Sequence, residues 1–293
     1  MPLADGHLDL WCVRSDAADV VALLDRYRRL LTPDELARGQ RFLFEKDRNQ
    51  FLVTRALVRT VLSHYTGDDP RCWRFATNSH GRPSAIEPAG VSPQFNISHT
   101  AGMVVCAVVA AGEVGVDVED LGRLRVNLDL ARRFFATAEV EALQRVPASQ
   151  QPATFLEFWT LKESYIKARG LGLSIPLHDF AFTLAAEQPA TISFSGSCVD
   201  RAEPWQFAQI RLGDRHHVAV ALRPPGSPRL TIGEEPAGGL SQFSFDENGT
   251  VPFGSATDAP SPRLTIRLRE TIPLGPSDEG RLLPPCPANR WLL

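Results

Sequence analysis

The sequence predicts a mixed α+β fold in which small antiparallel sheets pack against helices. Short runs of alternating or continuous apolar residues, typical of strands, lie between longer segments with helical periodicity. Two helix starts resemble each other: Thr32-Pro33-Asp34-Glu35 has the signature of a capping box, and Thr137-Ala138-Glu139 repeats part of it. This similarity suggests two similar halves, although the halves show no repeat by sequence identity.

The bulk composition excludes several classes of protein. The chain of 293 residues is 43% hydrophobic, which is ample for one or two domains plus a tail. Its net charge of −3 argues against general binding to nucleic acid or to a membrane surface. The longest apolar run, residues 103–111, is too short to span a bilayer, and the N-terminus lacks a signal-peptide pattern. Five scattered cysteines without CxxC spacing indicate a reduced, cytoplasmic protein with no zinc site.

The first half begins with a short strand over residues 8–14. The capped start at Thr32 opens a helical region that runs to about Tyr65, with a possible break near Asp47. Residues 73–76 are strand-like.

A basic patch covers this helical region. From Arg26 to Arg59 there are nine basic and four acidic residues, a local charge of +5. The patch is either a solvated face or an anion site, for which Arg38 and Arg41 are the better candidates. A polar turn follows at residues 78–83, where glycine and proline explain the turn but not the presence of Arg82.

The segment FNISHT predicts a strand followed by a turn. Alternation points Phe95 and Ile97 to one side of the strand and Asn96 and Ser98 to the other. His99 is predicted to begin the turn. A single histidine after a strand is usually structural or merely exposed, so a functional role needs support from other residues.

The next two strands bring carboxylates together. A buried strand over residues 103–110 is followed by GVDVE, in which Asp117 and Glu119 share one face while Val116 and Val118 share the other. Two neighbouring carboxylates repel each other. They are therefore either solvated at an exposed edge or neutralised by a hard divalent cation, which binds through oxygen ligands.

A helix predicted over residues 155–170 carries the least ordinary side chains. Its apolar face consists of Phe158, Leu161, Tyr165 and Ala168. Gly170 occupies the place of a left-handed helix cap. Glu163 and Lys167 are neighbours on another face, while Lys162 projects from the edge of the apolar arc, where a lysine needs a partner. Only three of the 31 basic residues are lysines, and two of them flank Glu163, which argues against a simple solvated ion pair.

After this helix the sequence predicts four strands in one antiparallel sheet, in the segments SIPLHDFAFTL, TISFS, WQFAQIRL and HHVAVALR. We place an N-terminal half at residues 1–113, a C-terminal half with the metal site at 114–223, and a tail at 224–293. The tail holds 12 of the 23 prolines and is expected to be mostly irregular, with possible short strands at 229–232 and 263–268.

Combining these signals predicts a phosphoryl-transfer site. Asp117, Glu119 and Glu163 could share one magnesium ion, which completes its shell with water and substrate phosphates. Positive charge for those phosphates would come from Lys162, Lys167, His99, Arg82 and Arg38. A metal, phosphate-binding cations and a carboxylate base suit transfer at a pyrophosphate linkage. The sequence contains neither a Walker loop nor GxGxxG, which argues against an ordinary ATP or Rossmann site.

The motifs FNISH, GVDVE and WTLKESYIK, in this order, resemble the 4′-phosphopantetheinyl transferase superfamily. The upstream GRP is similar to the GKP element of the family. Length and paired halves resemble the larger, Sfp-type members, and the resemblance covers about Leu8 to Arg223. It implies a pseudo-twofold fold in which two α+β halves bind coenzyme A and Mg²⁺ in the cleft between them.

The resemblance also implies a role for each motif residue. Asp117, Glu119 and Glu163 would hold the metal, Glu163 would act as general base on a carrier serine, and Lys167 would neutralise or protonate the departing phosphate. Lys162 would bind the pyrophosphate. The residues expected to contact coenzyme A are Arg38, Arg82, Ser98, His99, Asp117, Lys162 and Lys167. Arg82 replaces the lysine common in the family, which keeps the charge but changes the geometry of the contact.

The implied activity is transfer of phosphopantetheine from coenzyme A to apo acyl or peptidyl carrier proteins, by a cytoplasmic monomer that binds neither nucleic acid nor membranes. Two other hypotheses stay open. One is an inert coenzyme A-binding protein on the same fold, which the acidic triad and both lysines argue against. The other is a magnesium-dependent hydrolase that uses water as the nucleophile, because water and serine attack by the same chemistry.

Overall fold

The computed structural model describes residues 3, 7–90, 93–122, 128–185, 188–196, 200, 205–223, 229–231 and 263–274. The helices are α1 (Ala18–Val21), α2 (Leu24–Arg28), α3 (Pro33–Gln40), α4 (Glu45–Thr66), α5 (Leu128–Phe134), α6 (Thr137–Arg145) and α7 (Gln151–Arg169). The strands are β1 (His7–Val13), β2 (Arg74–Thr77), β3 (Pro83–Glu87), β4 (Gln94–Thr100), β5 (Met103–Val109), β6 (Glu113–Asp120), β7 (Phe180–Ala185), β8 (Gln188–Phe194), β9 (Gln206–Leu212), β10 (His216–Arg223), β11 (Arg229–Thr231) and β12 (Arg263–Glu270). Short 3₁₀ turns lie at Pro70–Cys72, Gly172–Ser174 and Leu177–Asp179.

Two sheets form the centre of the molecule. The first has the strand order β11-β12-β1-β5-β4, with antiparallel β1, β5 and β4 and parallel pairing of β12 with β1 and β11. The second is antiparallel, with the order β6-β10-β9. Two hairpins, β2–β3 and β7–β8, stand apart from these sheets. The predicted α+β class with two halves is therefore confirmed, and the first sheet is extended by parallel strands from the tail.

The two sheets pack face to face, with a helical layer on each outer side. Alternation along β1 sends Leu8 and Leu10 into a core shared with β6, β9 and β10, and sends Trp11 and Val13 into a second core beneath α4. A third core lies between the second sheet and α5–α7. The order of layers is α4, first sheet, second sheet, α7, so the halves meet through an apolar interface.

The halves also meet along the edges of β4 and β6, where side chains replace a backbone ladder. Asn96 Oδ1 accepts a hydrogen bond from Val116 N at 3.0 Å, and Ser98 Oγ accepts one from Val118 N at 3.4 Å. The predicted sidedness of β4 is confirmed, because Asn96 and Ser98 face β6 while Phe95 packs in the core beneath α4. This seam puts the FNISH and GVDVE segments side by side.

The first helix start behaves as predicted. Glu35 N donates to Thr32 Oγ1 at 3.3 Å, and Thr32 N donates to Glu35 Oε2 at 3.0 Å, which completes the capping box. The break that was expected near Asp47 instead occupies residues 41–44, so α4 begins at Glu45.

The second helix start is only half of a capping box. The N-cap of α6 is Ala136, which has no side-chain acceptor, whereas Glu139 Oε2 accepts from Ala136 N at 2.8 Å. The predicted cap at Thr137 was therefore one residue too late. Glu139 is fully buried, and its other oxygen accepts from Phe182 N at 2.8 Å.

The prediction of one sheet from the last four strands was wrong. Strands β7 and β8 form their own hairpin, while β10 pairs with β6 on one side and β9 on the other. The buried strand β10, in which every residue from His216 to Leu222 is buried, takes the central position of its sheet, whereas the largely exposed β8 pairs only with β7. His99 also differs from prediction, since it lies within β4 rather than in a turn.

The tail contributes two strands close to the predicted positions, and β12 is longer than predicted. Its alternation sends Ile266 and Leu268 into the shared core and Arg267 and Arg269 to the opposite face. There both arginines contact Asp9, which is fully buried, at 2.5 and 3.2 Å. The other predicted tail segments lie outside the described residues.

Cysteine chemistry departs from the expectation at one position. Cys12 and Cys106 are free and buried, whereas Cys72 is disulfide-bonded. The expectation that every cysteine is reduced therefore fails at Cys72. Across the described ranges, no helix combines the length and the apolar composition needed to cross a membrane.

Candidate active site

The contact between β6 and α7 is unusually close, and a glycine makes it possible. A Cβ atom at Gly115 would overlap the carbonyl oxygen of Ser164 and the backbone nitrogen of Ala168, and would lie 2.9 Å from Ala168 Cα. Small side chains continue on the neighbouring strand, where Ala219 and Ala221 are buried against the same helix layer. The backbone of the acidic strand thus lies directly against the helix that carries Glu163 and Lys167.

This contact joins Asp117 and Lys167 across the two elements. Lys167 Nζ lies 2.6 Å from Asp117 Oδ1 and donates to Ser98 Oγ at 2.8 Å. Ser98 Oγ donates to the same Asp117 oxygen at 2.9 Å. Three motifs that are separated in sequence therefore meet at one carboxylate, which is itself buried.

Glu119 and Glu163 complete an acidic group around Asp117. Burial raises the pKa of Glu119 to about 7, with the charge of Asp117 adding to the rise and Lys167 opposing it. Burial also raises the pKa of Glu163, again with Asp117 adding and Lys167 opposing. Glu119 and Glu163 both lie within electrostatic reach of Asp117, and burial disfavours the charged form of each glutamate.

The three carboxyl groups offer oxygen ligands of the kind that a hard divalent cation prefers. Asp117 Oδ2 is buried and has no hydrogen-bond partner among the described residues. A carboxylate oxygen in that state, beside two more carboxyl groups of raised pKa, is stabilised by a positive charge. In the described ranges, no three His, Cys, Asp or Glu side chains are gathered tightly enough to hold a metal. The Lys167 ammonium instead neutralises one oxygen of Asp117.

His99 lies at the edge of this group. This residue is exposed, yet desolvation lowers its pKa, with the charge of Lys167 acting in the same direction. Asp117 and Asp47 oppose this shift, which places the ring close to both. Ser98 and His99 are thus brought together with the acids, as predicted.

Lys162 was predicted to bind the pyrophosphate, but the structure places it inside the core of the second half. Its ammonium is fully buried and makes three contacts at 2.7 Å, with the carbonyl oxygens of Leu177 and Phe180 and with Glu139 Oε2. An ammonium has three hydrogens, so all of its donors are used. The side chain stabilises the core of the second half and cannot reach the pyrophosphate of a bound coenzyme A. Burial, opposed by the Glu139 charge, lowers the pKa of Lys162.

Arg82 has a structural role that the sequence did not reveal. Its guanidinium donates to the carbonyl oxygens of Lys167 and Ala168 at the end of α7 and to Val114 O at 3.3 Å. A cation at a helix C-terminus is favourable because the last carbonyls lack intrahelical partners. Gly170, in the predicted left-handed cap, leaves room for the Arg82 side chain. The contact of Arg82 with coenzyme A stays a prediction.

Arg38 is another predicted residue for which the described contacts show no link to the acids. It is exposed on α3, where its charge lowers the pKa of neighbouring Arg55, a smaller effect than burial and the opposing Glu35. Arg59, behind it, is fully buried and pairs with Glu35 at 2.5 Å. The predicted anion role of Arg38 is untested by these contacts.

Several residues of the site were missed by sequence reasoning. Thr100 Oγ1 donates to Glu119 Oε2 at 3.4 Å, and His217 lies opposite Glu119 in the β6–β10 register. His217 is buried, and desolvation lowers its pKa to about 4, so it is neutral at physiological pH. Gly115 is the first residue of GVDVE, but only the close approach of α7 shows why a glycine is needed at this position.

Comparison with known proteins agrees with the geometry. The model of the 4′-phosphopantetheinyl transferase superfamily matches residues 113–221, and that of the N-terminal part of 4′-phosphopantetheinyl transferase matches residues 22–111. The 4′-phosphopantetheinyl transferase HetI of Nostoc is 30% identical over 76% of this chain and 90% of its own length. The 4′-phosphopantetheinyl transferase Sfp of Bacillus subtilis is 31% identical over 70% and 87%. The holo-[acyl-carrier-protein] synthase of Thermotoga maritima overlaps 38% of this chain and 61% of its own, with a TM-score of 0.30 at 23% identity.

Both halves of the chain match models of one family, and HetI and Sfp match along 90% and 87% of their own lengths. The residues that carry the resemblance, in β4, β6 and α7, converge on Asp117. The chain belongs to the 4′-phosphopantetheinyl transferase superfamily and is a phosphopantetheinyl transferase of the larger, two-half type.

Proposed function

We propose that this enzyme transfers the 4′-phosphopantetheine arm of coenzyme A to a serine of an acyl or peptidyl carrier protein and releases 3′,5′-ADP. This is a holo-[acyl-carrier-protein] synthase activity. The observation that carries the proposal is the packing of β6 on α7, which brings Lys167 to Asp117 while Glu119 and Glu163 stay within electrostatic reach. An anionic, cation-balanced group of this kind is suited to phosphoryl transfer.

In the proposed reaction the serine oxygen bonds to the phosphorus that bears pantetheine. The bridging P–O bond of the pyrophosphate breaks, and its electrons leave with 3′,5′-ADP. The hydroxyl proton passes to Glu163, directly or through a water molecule. Support comes from the raised pKa of Glu163, because a base whose pKa lies nearer to neutrality removes a proton more effectively than an ordinary carboxylate.

Lys167 is proposed to balance the charge that develops on the departing phosphate. Its ammonium is tied to Asp117 and Ser98, yet its side chain is 29% exposed, so one side stays open to a substrate. Ser98 and His99 line the same edge, and Arg38 would add charge from α3. Lys162 does not belong to this set because its three donors are used inside the protein.

The residues that would hold Mg²⁺ are Asp117, Glu119 and Glu163. Support comes from the unpartnered buried oxygen of Asp117 and from the raised pKa values of both glutamates. When bound, Mg²⁺ would supply positive charge to the pyrophosphate oxygens. The chain itself positions the three carboxyl groups by close packing of glycine and alanine between strand and helix.

The direct test incubates the enzyme with coenzyme A, Mg²⁺ and an apo carrier domain, followed by mass spectrometry of the carrier. The proposal expects the carrier to gain the mass of phosphopantetheine. One molecule of 3′,5′-ADP should be released for each carrier that is modified. Release of 3′,5′-ADP with an unmodified carrier would instead indicate hydrolysis. Absence of turnover with each of a fatty acid, a polyketide and a peptidyl carrier would indicate an inert coenzyme-binding protein.

A further inference from the structure

The loop between α3 and α4 exposes three consecutive apolar residues. The side chains of Phe42, Leu43 and Phe44 are 36%, 81% and 58% exposed, the only such run among the described residues. Isolated exposed apolar residues are ordinary, but a contiguous group indicates a contact surface. We refer to residues 42–44 as the apolar loop.

The apolar loop is held in place rather than free. Arg48 Nη1 donates to Phe42 O at 2.8 Å and to Leu43 O at 3.1 Å, so one guanidinium fixes two successive carbonyls. The ring of Phe42 packs against Phe51 with centroids 5.5 Å apart. Lys46 Nζ lies 5.6 Å from the centroid of the Phe44 ring. A surface ordered before binding loses less conformational entropy when a partner docks.

The loop lies beside the candidate active site. It leads directly into α4, where Gln50 Nε2 donates to Thr100 O at 2.7 Å. Thr100 in turn contacts Glu119, and Asp47 lies within electrostatic reach of His99. A macromolecule that delivers a hydroxyl group to the acids would therefore pass close to the apolar loop.

The charges around the loop indicate the kind of partner. Between residues 38 and 48 the basic side chains are Arg38, Arg41, Lys46 and Arg48, and the acidic ones are Glu45 and Asp47, which leaves a net charge of +2. Arg41 and Lys46 are exposed. An apolar centre with a basic rim complements a surface that is apolar at its centre and acidic around it.

We propose that the apolar loop is a docking surface for the carrier protein, contacting an apolar, acidic patch beside the serine that is modified. The inference rests on the proposed function, because only a macromolecular acceptor needs a surface outside the reaction centre. Leu43 provides the apolar contact, and Lys46 provides charge at the rim.

The test compares steady-state kinetics of the intact protein, Leu43→Asp, Phe44→Asp and Lys46→Glu with an apo carrier domain and coenzyme A. Each aspartate variant is expected to raise KM for the carrier at least about tenfold and to leave KM for coenzyme A and kcat within about twofold. Lys46→Glu is expected to raise KM for the carrier less, by an amount that shrinks as salt increases. Val21→Asp, at a 42% exposed apolar residue of α1, is the matched control and should change neither constant.

Unchanged carrier KM in both aspartate variants would overturn the proposal. An equal rise in KM for coenzyme A would assign the loop to the coenzyme instead and would also overturn it. If the unmodified enzyme transfers nothing to any carrier, the proposed function fails at that earlier step. The two failures are therefore distinguishable.

Discussion

Asp117 connects the residues that the motifs contribute. One of its oxygens accepts from Ser98 and Lys167, while the other is buried without a partner among the described residues. After burial, the charge of Asp117 also contributes to the raised pKa values of both neighbouring glutamates. The chemistry of the site therefore depends on how positive charge is distributed around this one side chain.

The substitution Glu163→Gln tests whether Glu163 is the general base. The substitution keeps shape and removes proton acceptance, so we expect kcat to fall by a factor of about 10²–10⁴ while the protein stays folded. Burial disfavours the charged form of Glu163, so a neutral amide should not destabilise the protein at pH 8. Carrier modification followed by mass spectrometry, together with thermal unfolding, checks both statements.

Glu157→Gln is the matched control, because Glu157 lies on the same helix and burial raises its pKa as well. Its kcat should stay within about twofold of the unmodified enzyme. Equal loss of activity in both variants, or loss of the folded state in Glu163→Gln, would contradict the role of Glu163 as base.

At this scale the sequence predicted the acids but not every lysine. Alternation in GVDVE and helical spacing in α7 are local signals, and the structure brings Asp117, Glu119 and Lys167 together; their roles in the reaction stay predictions. Lys162 could not be assigned in this way, since its partner Glu139 lies on another helix and its carbonyl acceptors belong to a 3₁₀ turn and to the start of β7. A lysine at the edge of an apolar face can be paired inside or exposed outside, and local sequence does not decide between them.

The substitution Lys162→Met tests whether Lys162 stabilises the protein through its buried pair with Glu139. It leaves Glu139 buried without its counterion, and we expect the free energy of unfolding to fall by about 3–5 kcal/mol. Adding Glu139→Gln should recover part of this loss, because the unpaired charge is then removed. Denaturant unfolding measures both. Retained stability with weakened coenzyme A binding would show that Lys162 belongs to the site after all.

Among the elements, β6 and α7 determine the geometry of the site by their close approach. The sequence revealed both elements and the cap at Gly170, since periodicity and a glycine at the helix end are local signals. The distance between them was not predictable, because it depends on small residues contributed by β6 and β10 together. The pairing of β10 with β6 rather than with its predicted neighbours has the same non-local origin.

Gly115→Ala tests the close approach. The added methyl group would overlap backbone atoms of Ser164 and Ala168, which cannot move aside as a flexible side chain could. We expect a loss of about 3 kcal/mol or more in the free energy of unfolding. Gly122→Ala is the control, since its Cβ would meet only a side-chain oxygen of Asp120, at 3.3 Å. A Gly115→Ala variant as stable as the control would refute the packing argument.

The whole molecule is completed by a strand from the tail. Composition alone predicted an irregular tail with short strands, and alternation in β12 was visible, but its partner β1 lies more than 250 residues away. Long-range parallel pairing leaves no local signal. What the strand adds is two arginines that neutralise Asp9, which is fully buried and also accepts from Tyr65 at 2.5 Å.

The double variant Arg267→Leu/Arg269→Leu tests this attachment. Removing both cations leaves the Asp9 charge buried, and we expect a loss of about 3 kcal/mol in the free energy of unfolding. Arg14→Leu is the control, because its pair with Glu270 is exposed on both sides and should contribute less than about 1 kcal/mol. Equal denaturation midpoints for the double variant and the control would show that β12 is not needed for stability.

We propose that Asp117, Glu119 and Glu163 share one cation at the junction of the two halves. Titration calorimetry of Mg²⁺ into the protein with saturating coenzyme A measures it most directly. We predict one Mg²⁺ per chain in the unmodified enzyme, lost or weakened at least about tenfold in Asp117→Asn and unchanged in Glu157→Gln. Absence of Mg²⁺ binding in the unmodified enzyme, or equal binding by Asp117→Asn, would contradict the account.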